Sequence, residues 1–163
     1  MALIVKNTLS VVIPTFNEEG NIELLYNKLR ETIDPLGLKD LELIFVDDGS
    51  HDDSLSIIKS IAEHDAQVKY ISFSRNFGHQ LALKAGLDHT RFQGVISLDA
   101  DLQHPVELIP EMIQKWRDGA DVVFSKRIDK TLPWFKRTSS KLFYRIVNSL
   151  SQIKLEDLSL IHI

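Results

Sequence analysis

The chain has 163 residues, of which 44% are hydrophobic and 26% are charged, and its formal net charge is −4. This length and composition predict one compact domain with a hydrophobic core and no second large domain. The absence of cysteine excludes disulfides and thiolate metal sites, so a metal would need oxygen or histidine ligands. No apolar run approaches the ~20 residues that span a bilayer, and the first ten residues lack a signal-peptide pattern, so we expect a cytosolic location.

Short apolar runs alternate with helical patterns along the first 124 residues. In chain order, the predicted elements are strand 9–14, helix 22–29, strand 41–46, helix 55–61, strand 68–73, helix 81–87, strand 94–98, helix 110–116 and strand 122–124. A capping box at 50–53 is expected to begin the second helix. This rhythm predicts an α/β fold with right-handed crossovers and a mainly parallel sheet that has helices on both faces.

Two acidic clusters directly follow predicted strands. Asp47 and Asp48 come after the second strand, and Asp99 and Asp101 come after the fourth. In an open parallel sheet, ligands bind at the carboxyl ends of the strands, so both clusters should open onto one cleft. These carboxylates would repel each other unless a divalent ion with a phosphate-bearing ligand lay among them. Asp99, Asp101 and Gln103 together offer oxygen ligands to Mg²⁺ or Mn²⁺, although an Asp-x-Asp motif alone is weak support.

The charge is unevenly distributed, because residues 126–145 contain seven basic residues and one acidic residue. A basic surface of this kind suits phosphates or anionic lipid. One helical face in this region is apolar, which is typical either of a helix on a membrane surface or of a helix packed on its own domain. We predict a division into a nucleotide-sugar binding domain at 1–131, a basic amphipathic helix at 132–150 and an atypical tail at 151–163.

Four motifs, in this order and spacing, resemble the family 2 glycosyltransferases: 12–18 (VIPTFNE), 46–50 (VDDGS), 74–80 (SRNFGHQ) and 99–105 (DADLQHP). The resemblance covers residues 9–148 and is greatest to the polyprenyl-phosphate branch, which includes dolichol-phosphate mannosyltransferases and bacterial undecaprenyl-phosphate glucosyltransferases. Four ordered motifs are far more specific than any one of them. The resemblance implies a GT-A nucleotide-diphospho-sugar transferase fold.

The resemblance also implies roles for individual residues. The nucleotide-binding positions would be Pro14, Phe16, Glu18, Asp47, Asp48, Gly49 and Asp99, with Asp47 at the base. The catalytic positions would be Asp99 and Asp101, and the metal ligands would be Asp99, Asp101 and Gln103. The acceptor phosphate would be held by Arg127, Arg137 and Ser140.

The implied reaction is an inverting transfer of a sugar from a nucleotide-diphospho-sugar to a polyprenyl phosphate, with UDP preferred over GDP. A lipid phosphate is already anionic, so it can attack the sugar C1 without a strong base if cations hold it in line. The expected partners are the nucleotide-sugar donor, the polyprenyl-phosphate acceptor and the cytoplasmic face of the plasma membrane, with no nucleic acid. The sequence leaves open whether the protein forms a homo-oligomer, and it does not identify the sugar.

Other interpretations remain open on the sequence. Residues 155–163 depart from the family pattern. This departure favours one alternative, a nucleotide-binding domain without turnover. An aspartyl-phosphate phosphatase would leave Asp47 and Asp48 unexplained, and a phosphoacceptor receiver with Lys126 should have acids after its first strand. Dinucleotide oxidoreductases are disfavoured, because no Gly-x-Gly-x-x-Gly opens the first helix.

Several polar residues near the motifs also have a structural interpretation. We expect His79 and Gln80 to cap a helix rather than to contact a ligand. His104 is expected to shape its loop. Asp52 and Asp53 are expected to complement the dipole of the following helix.

Overall fold

The computed structural model describes residues 6–125, which form an α/β fold. The strands are β1 (Thr8–Thr15), β2 (Asp40–Asp47), β3 (Val68–Ser72) and β4 (Gly94–Ser97), and the α-helices are α1 (Ile22–Ile33), α2 (Ser54–His64), α3 (His79–Asp88) and α4 (Ile109–Arg117). Short 3-10 helices at Asp34–Leu36 and Val106–Leu108 complete the set. Among these described residues, no helix is long and apolar enough to cross a membrane.

The sheet is parallel throughout, with the strand order β3-β2-β1-β4. The chain builds outward from β1 through β2 to β3 and then returns to the other side of β1 to form β4. This reversal creates a topological switch point between the carboxyl ends of β1 and β4, where open α/β sheets bind ligands. Both acidic clusters follow strands at this same edge of the sheet.

Helices cover both faces of the sheet, as the sequence predicts. Apolar side chains of α1, α4 and α2 pack with the larger core on one face, and Ala82 of α3 packs with Val12, Ile44 and Val46 on the other. Gly86 brings α3 close to β1, because a Cβ at this position would overlap the side chain of Val12. The close packing of α3 positions its first turn at the carboxyl edge of the sheet.

The predicted strand at 122–124 does not form as an element. Phe124 makes one isolated β-bridge, while Val122 is exposed and only Val123 is buried in the core. Three consecutive apolar residues therefore resemble a strand in the sequence, but only one of them contributes to the core. The predicted domain boundaries at 131 and 150 lie outside the described residues.

Candidate active site

A cleft of about 350 Å³ opens at the switch point between β1 and β4. The end of β1 and the loop after it contribute one wall, and the acidic loop after β4 contributes another. The residues that line it are Pro14, Thr15, Phe16, Glu18, Asp48, Asn76, Gly78, His79, Ala82, Asp99, Ala100 and Asp101. The structure thus brings together Pro14, Phe16, Glu18, Asp48, Asp99 and Asp101 of the predicted site.

The loop after β1 is clasped to the loop after β2 by reciprocal hydrogen bonds. The backbone N–H of Asn17 donates to Ser50 Oγ (3.0 Å), and the N–H of His51 donates back to Asn17 Oδ1 (2.9 Å). Asn17 has a left-handed backbone, with φ of 54°, which turns its amide toward the neighbouring loop. The clasp holds the VIPTFNE motif of one loop against the VDDGS motif of the other.

A second set of bonds replaces the predicted capping box. The N–H of Glu19 donates to Asp52 Oδ2 (3.1 Å) and the N–H of Asp53 donates to Glu19 Oε2 (2.9 Å), while no side chain caps α2 at Asp53. The capping-box prediction is therefore wrong: Ser50 Oγ and Asp52 Oδ2 accept from the loop after β1, and within its own loop Asp52 Oδ1 accepts the N–H of Ser54 (3.0 Å) instead of Ser50 capping the helix. Burial raises the pKa of Asp52, but hydrogen bonds from Ser54 and Glu19 outweigh it, so the net pKa lies below its ordinary value.

Asp47 and Asp48 are buried, with exposed fractions of 1% and 2%. Asp48 accepts hydrogen bonds from the backbone N–H groups of Phe77 (2.7 Å) and Gly78 (2.9 Å), one on each carboxylate oxygen. Asp47 accepts from the N–H of Ser50 (3.2 Å) and lies outside the cleft lining. Asp48 therefore anchors the loop between β3 and α3 against the cleft, and a contact between Asp47 and a base stays a prediction.

Gly49 also serves this loop rather than lining the cleft. Its φ of 72° lies in the left-handed region, and a Cβ there would overlap the backbone of Arg75. Only glycine combines this backbone conformation with such a close approach. The VDDGS motif therefore packs directly against the SRNFGHQ motif.

The loop after β4 carries the two carboxylates of the acidic motif. Asp101 Oδ1 accepts the backbone N–H of Gln103 (2.9 Å), and Leu102 between them is left-handed, with φ of 59°. Asp99 lies between two histidines, with Oδ1 3.6 Å from His79 Nε2 and Oδ2 4.0 Å from His104 Nδ1. His79 lines the cleft and makes no capping bond to α3, so its predicted capping role is wrong.

A divalent ion fits this loop only if a ligand completes its coordination. Within residues 6–125, no group of three or more histidine and carboxylate side chains converges as a ready metal site. Asp99 and Asp101 nevertheless line the same cleft, and Mg²⁺ commonly binds through one or two carboxylates together with substrate phosphates and water. Gln103 lines a second cavity with Lys28 and Glu107, and its backbone N–H bonds Asp101, so its role as a third metal ligand stays a prediction.

Phe16 presents an aromatic surface on the cleft wall that the loop after β1 forms. Its ring is 39% exposed and meets His51 edge to face, with 6.3 Å between the ring centroids. A partly exposed ring at a cleft wall offers a stacking surface for a planar base. Glu18 accepts a hydrogen bond from Asn21 Nδ2 (2.6 Å), which fixes its carboxylate at the start of α1.

The cleft residues that sequence reasoning missed are Thr15, Asn76, Gly78, Ala82 and Ala100. Asn76 and Gly78 had a signal in the sequence, since both lie within the SRNFGHQ motif. The others are small residues whose place depends on packing. Arg127, Arg137 and Ser140, the predicted acceptor-phosphate residues, lie outside the described residues.

Residues 10–162 match the family described as Glycosyl transferase family 2, and the chain belongs to this family of sugar-transferring enzymes. It is 44% identical over 150 residues to the bactoprenol glucosyl transferase of Shigella phage SfX, covering 91% of this chain and 49% of that protein. It is 43% identical over 150 residues to the prophage bactoprenol glucosyl transferase homolog of Escherichia coli K12, covering 91% and 49%. The chain spans about half the length of these curated relatives.

Solved structures confirm the GT-A fold. The glucosyl-3-phosphoglycerate synthase of Mycobacterium tuberculosis, in complex with Mn²⁺, UDP and phosphoglyceric acid, matches with a TM-score of 0.65 and 26% identity, covering 96% of this chain and 55% of that one. The mannosyltransferase PcManGT of Pyrobaculum calidifontis, in complex with GDP-Man and Mn²⁺, matches with a TM-score of 0.62 and 23% identity, covering 78% and 38%. Family membership favours the glycosyltransferase interpretation over the phosphatase and receiver alternatives.

Proposed function

We propose that this chain transfers a sugar from a nucleotide-diphospho-sugar to a polyprenyl phosphate at the cytoplasmic face of the membrane. The observation that carries the proposal is the meeting of Phe16, Asp99 and Asp101 in one cleft at the switch point of a GT-A sheet. The names of the relatives pair a glucosyl group with bactoprenol, which supports glucose as the first sugar to test and a polyprenyl acceptor.

The described residues suit the donor half of this reaction. Phe16 would pack against the base, and the clasped loops would hold the nucleoside in place. Asp99 and Asp101 would bind a Mg²⁺ or Mn²⁺ ion, which supplies positive charge to a leaving diphosphate. We propose UDP as the preferred nucleotide, and UDP occurs in the mycobacterial structure named above.

The chemistry requires no covalent enzyme intermediate. An oxygen of the acceptor phosphate forms a bond to the sugar C1, while the bond from C1 to the diphosphate breaks and its electron pair leaves on the nucleotide. A single displacement inverts the configuration at C1. Because the acceptor is already anionic, the residues of the chain need to orient the two reactants and to stabilise charge rather than to remove a proton.

Calorimetric titration of the 163-residue chain with UDP and with GDP, each with and without Mn²⁺, tests the donor site. We expect UDP to bind in a Mn²⁺-dependent manner and Asp101→Asn to abolish that dependence. Asp88→Asn is the matched control, because Asp88 is an exposed carboxylate on α3 that pairs with Lys84. Equal UDP affinity in Asp101→Asn and the wild type would contradict the metal assignment.

Turnover is tested separately by incubating the chain with UDP-glucose, Mn²⁺ and undecaprenyl phosphate in detergent. We expect mass spectrometry to detect a glucosyl phosphate ester of the lipid, and NMR of its anomeric proton to show inversion relative to the donor. Mn²⁺-dependent UDP binding without any lipid product would overturn the transfer reaction for this chain and favour a donor-binding domain without turnover.

A further inference from the structure

His104 has a buried nitrogen that the interactions described so far leave unexplained. Its side chain is 12% exposed, and Nδ1 is the one buried side-chain nitrogen or oxygen without a hydrogen-bond partner among residues 6–125. Buried polar atoms in folded proteins are almost always hydrogen-bonded, and the exceptions call for a specific explanation. A residue that only shaped its loop would be expected to use this nitrogen in a loop hydrogen bond.

The acceptor that faces Nδ1 is the carboxylate of Asp99, whose Oδ2 lies 4.0 Å away. This distance exceeds a hydrogen bond by roughly 1 Å, which a small rotation of the Asp99 side chain would close. The other oxygen of Asp99 faces His79 Nε2 at 3.6 Å. His79 is 42% exposed and can bond to water, whereas His104 Nδ1 cannot.

We propose that His104 is a positioning residue for Asp99: its Nδ1–H donates to the Asp99 carboxylate when the donor nucleotide and metal occupy the cleft. This inference rests on the proposed function, since it concerns the same carboxylate. The hydrogen bond selects which oxygen of Asp99 faces the ligand and which faces the protein. Partners that orient a metal-binding group in this way commonly change metal affinity when they are removed.

A buried nitrogen without a hydrogen-bond partner lowers the stability of the fold, so Nδ1 does not explain His104 through the stability of its loop. Residues arranged for function often reduce stability in this manner. A structural role for His104 predicts the opposite, namely that its loss destabilises the ligand-free protein.

Two substitutions separate these roles. His104→Asn places an amide N–H close to the position of Nδ1, and His104→Leu fills a similar volume without a donor. His64→Leu is the matched control, because His64 lies at the end of α2 and bonds the carbonyl of Ser60 (2.8 Å). Each substitution is also made in an Asp99→Ala background, since coupling between two residues is measured by a double-mutant cycle.

The first readout is the Mn²⁺-dependent affinity for UDP. We expect His104→Leu to weaken it by about 10-fold or more and His104→Asn to restore most of the loss. In the Asp99→Ala background, measured at Mn²⁺ concentrations high enough for Asp101 to retain binding, His104→Leu should have no further effect. Equal losses in the Leu and Asn variants, or a loss that persists without Asp99, would overturn the proposal.

The second readout is the thermal midpoint of the ligand-free protein, which needs no bound nucleotide. We expect His104→Leu to keep or raise the midpoint, because it removes an unpartnered buried nitrogen. A midpoint clearly below the wild type would assign His104 to the fold and overturn the proposal. Failure of the wild-type chain itself to bind UDP with Mn²⁺ would instead reject the proposed function, so the two failures are distinguishable.

Discussion

At the scale of single residues, the motifs of this chain combine residues that line the cleft with residues that hold loops in place. Asp99, Asp101 and Phe16 line the cleft, whereas Asp48 uses both carboxylate oxygens to hold backbone N–H groups of a neighbouring loop. Gly49 contributes only its missing side chain. Adjacent positions in one motif can therefore serve different purposes, and residue type alone does not separate them.

Gly49→Ala should destabilise the protein by about 3 kcal/mol or more, because the left-handed backbone and the backbone of Arg75 both oppose a Cβ. Gly37→Ala is the matched control: Gly37 has a φ of 58°, but no atom lies near its Cβ position, so its cost should be about 1 kcal/mol. Urea unfolding of both variants measures the difference. Equal losses of stability would show that the close approach of the Arg75 loop contributes nothing.

At the scale of elements, one buried carboxylate joins the strands at the end of the sheet opposite the cleft. Glu42 of β2 is 1% exposed and accepts hydrogen bonds from Ser10 of β1 (2.6 Å) and Lys69 of β3 (2.9 Å). The backbone N–H and the guanidinium of Arg91, which precedes β4, also donate to it. A single side chain thus links three strands and the connection to the fourth.

Glu42→Gln should lower the free energy of unfolding by about 1–3 kcal/mol, because a carboxamide accepts fewer hydrogen bonds and loses the charge-assisted contacts of Lys69 and Arg91. Urea denaturation measures this change. Glu31→Gln, at an exposed position of α1, is the control and should have little effect. If both substitutions cost the same, the buried contacts of Glu42 are not what stabilises this end of the sheet.

At the scale of the whole molecule, two regions of different charge are expected to share the reaction. The described domain holds the candidate donor site, and the basic segment at 126–145 is the part of the chain that the sequence predicts for an anionic acceptor and a membrane surface. Each basic residue near anionic lipid contributes about 1 kcal/mol of attraction.

Replacing Lys136, Arg137, Lys141 and Arg145 by Gln should weaken binding to phosphatidylglycerol vesicles at low salt and leave UDP affinity unchanged. Co-sedimentation with vesicles and calorimetry provide the two measurements. The matched control replaces Lys59, Lys84, Lys115 and Arg117 by Gln, which removes the same charge from the described domain. Similar weakening in both variants would indicate a nonspecific charge effect rather than a membrane-binding segment.

The sequence by itself determined the alternation of strands and helices, the parallel sheet and the family, because apolar periodicity and ordered motifs are local properties. It also placed Asp99 and Asp101 at the carboxyl edge of the sheet. Tertiary structure alone decided that the groups of the predicted capping box bond to the loop after β1, that Asp48 anchors a loop, and that His79 and His104 flank Asp99. These outcomes depend on which loops meet across the sheet edge, and a one-dimensional pattern does not encode such distances.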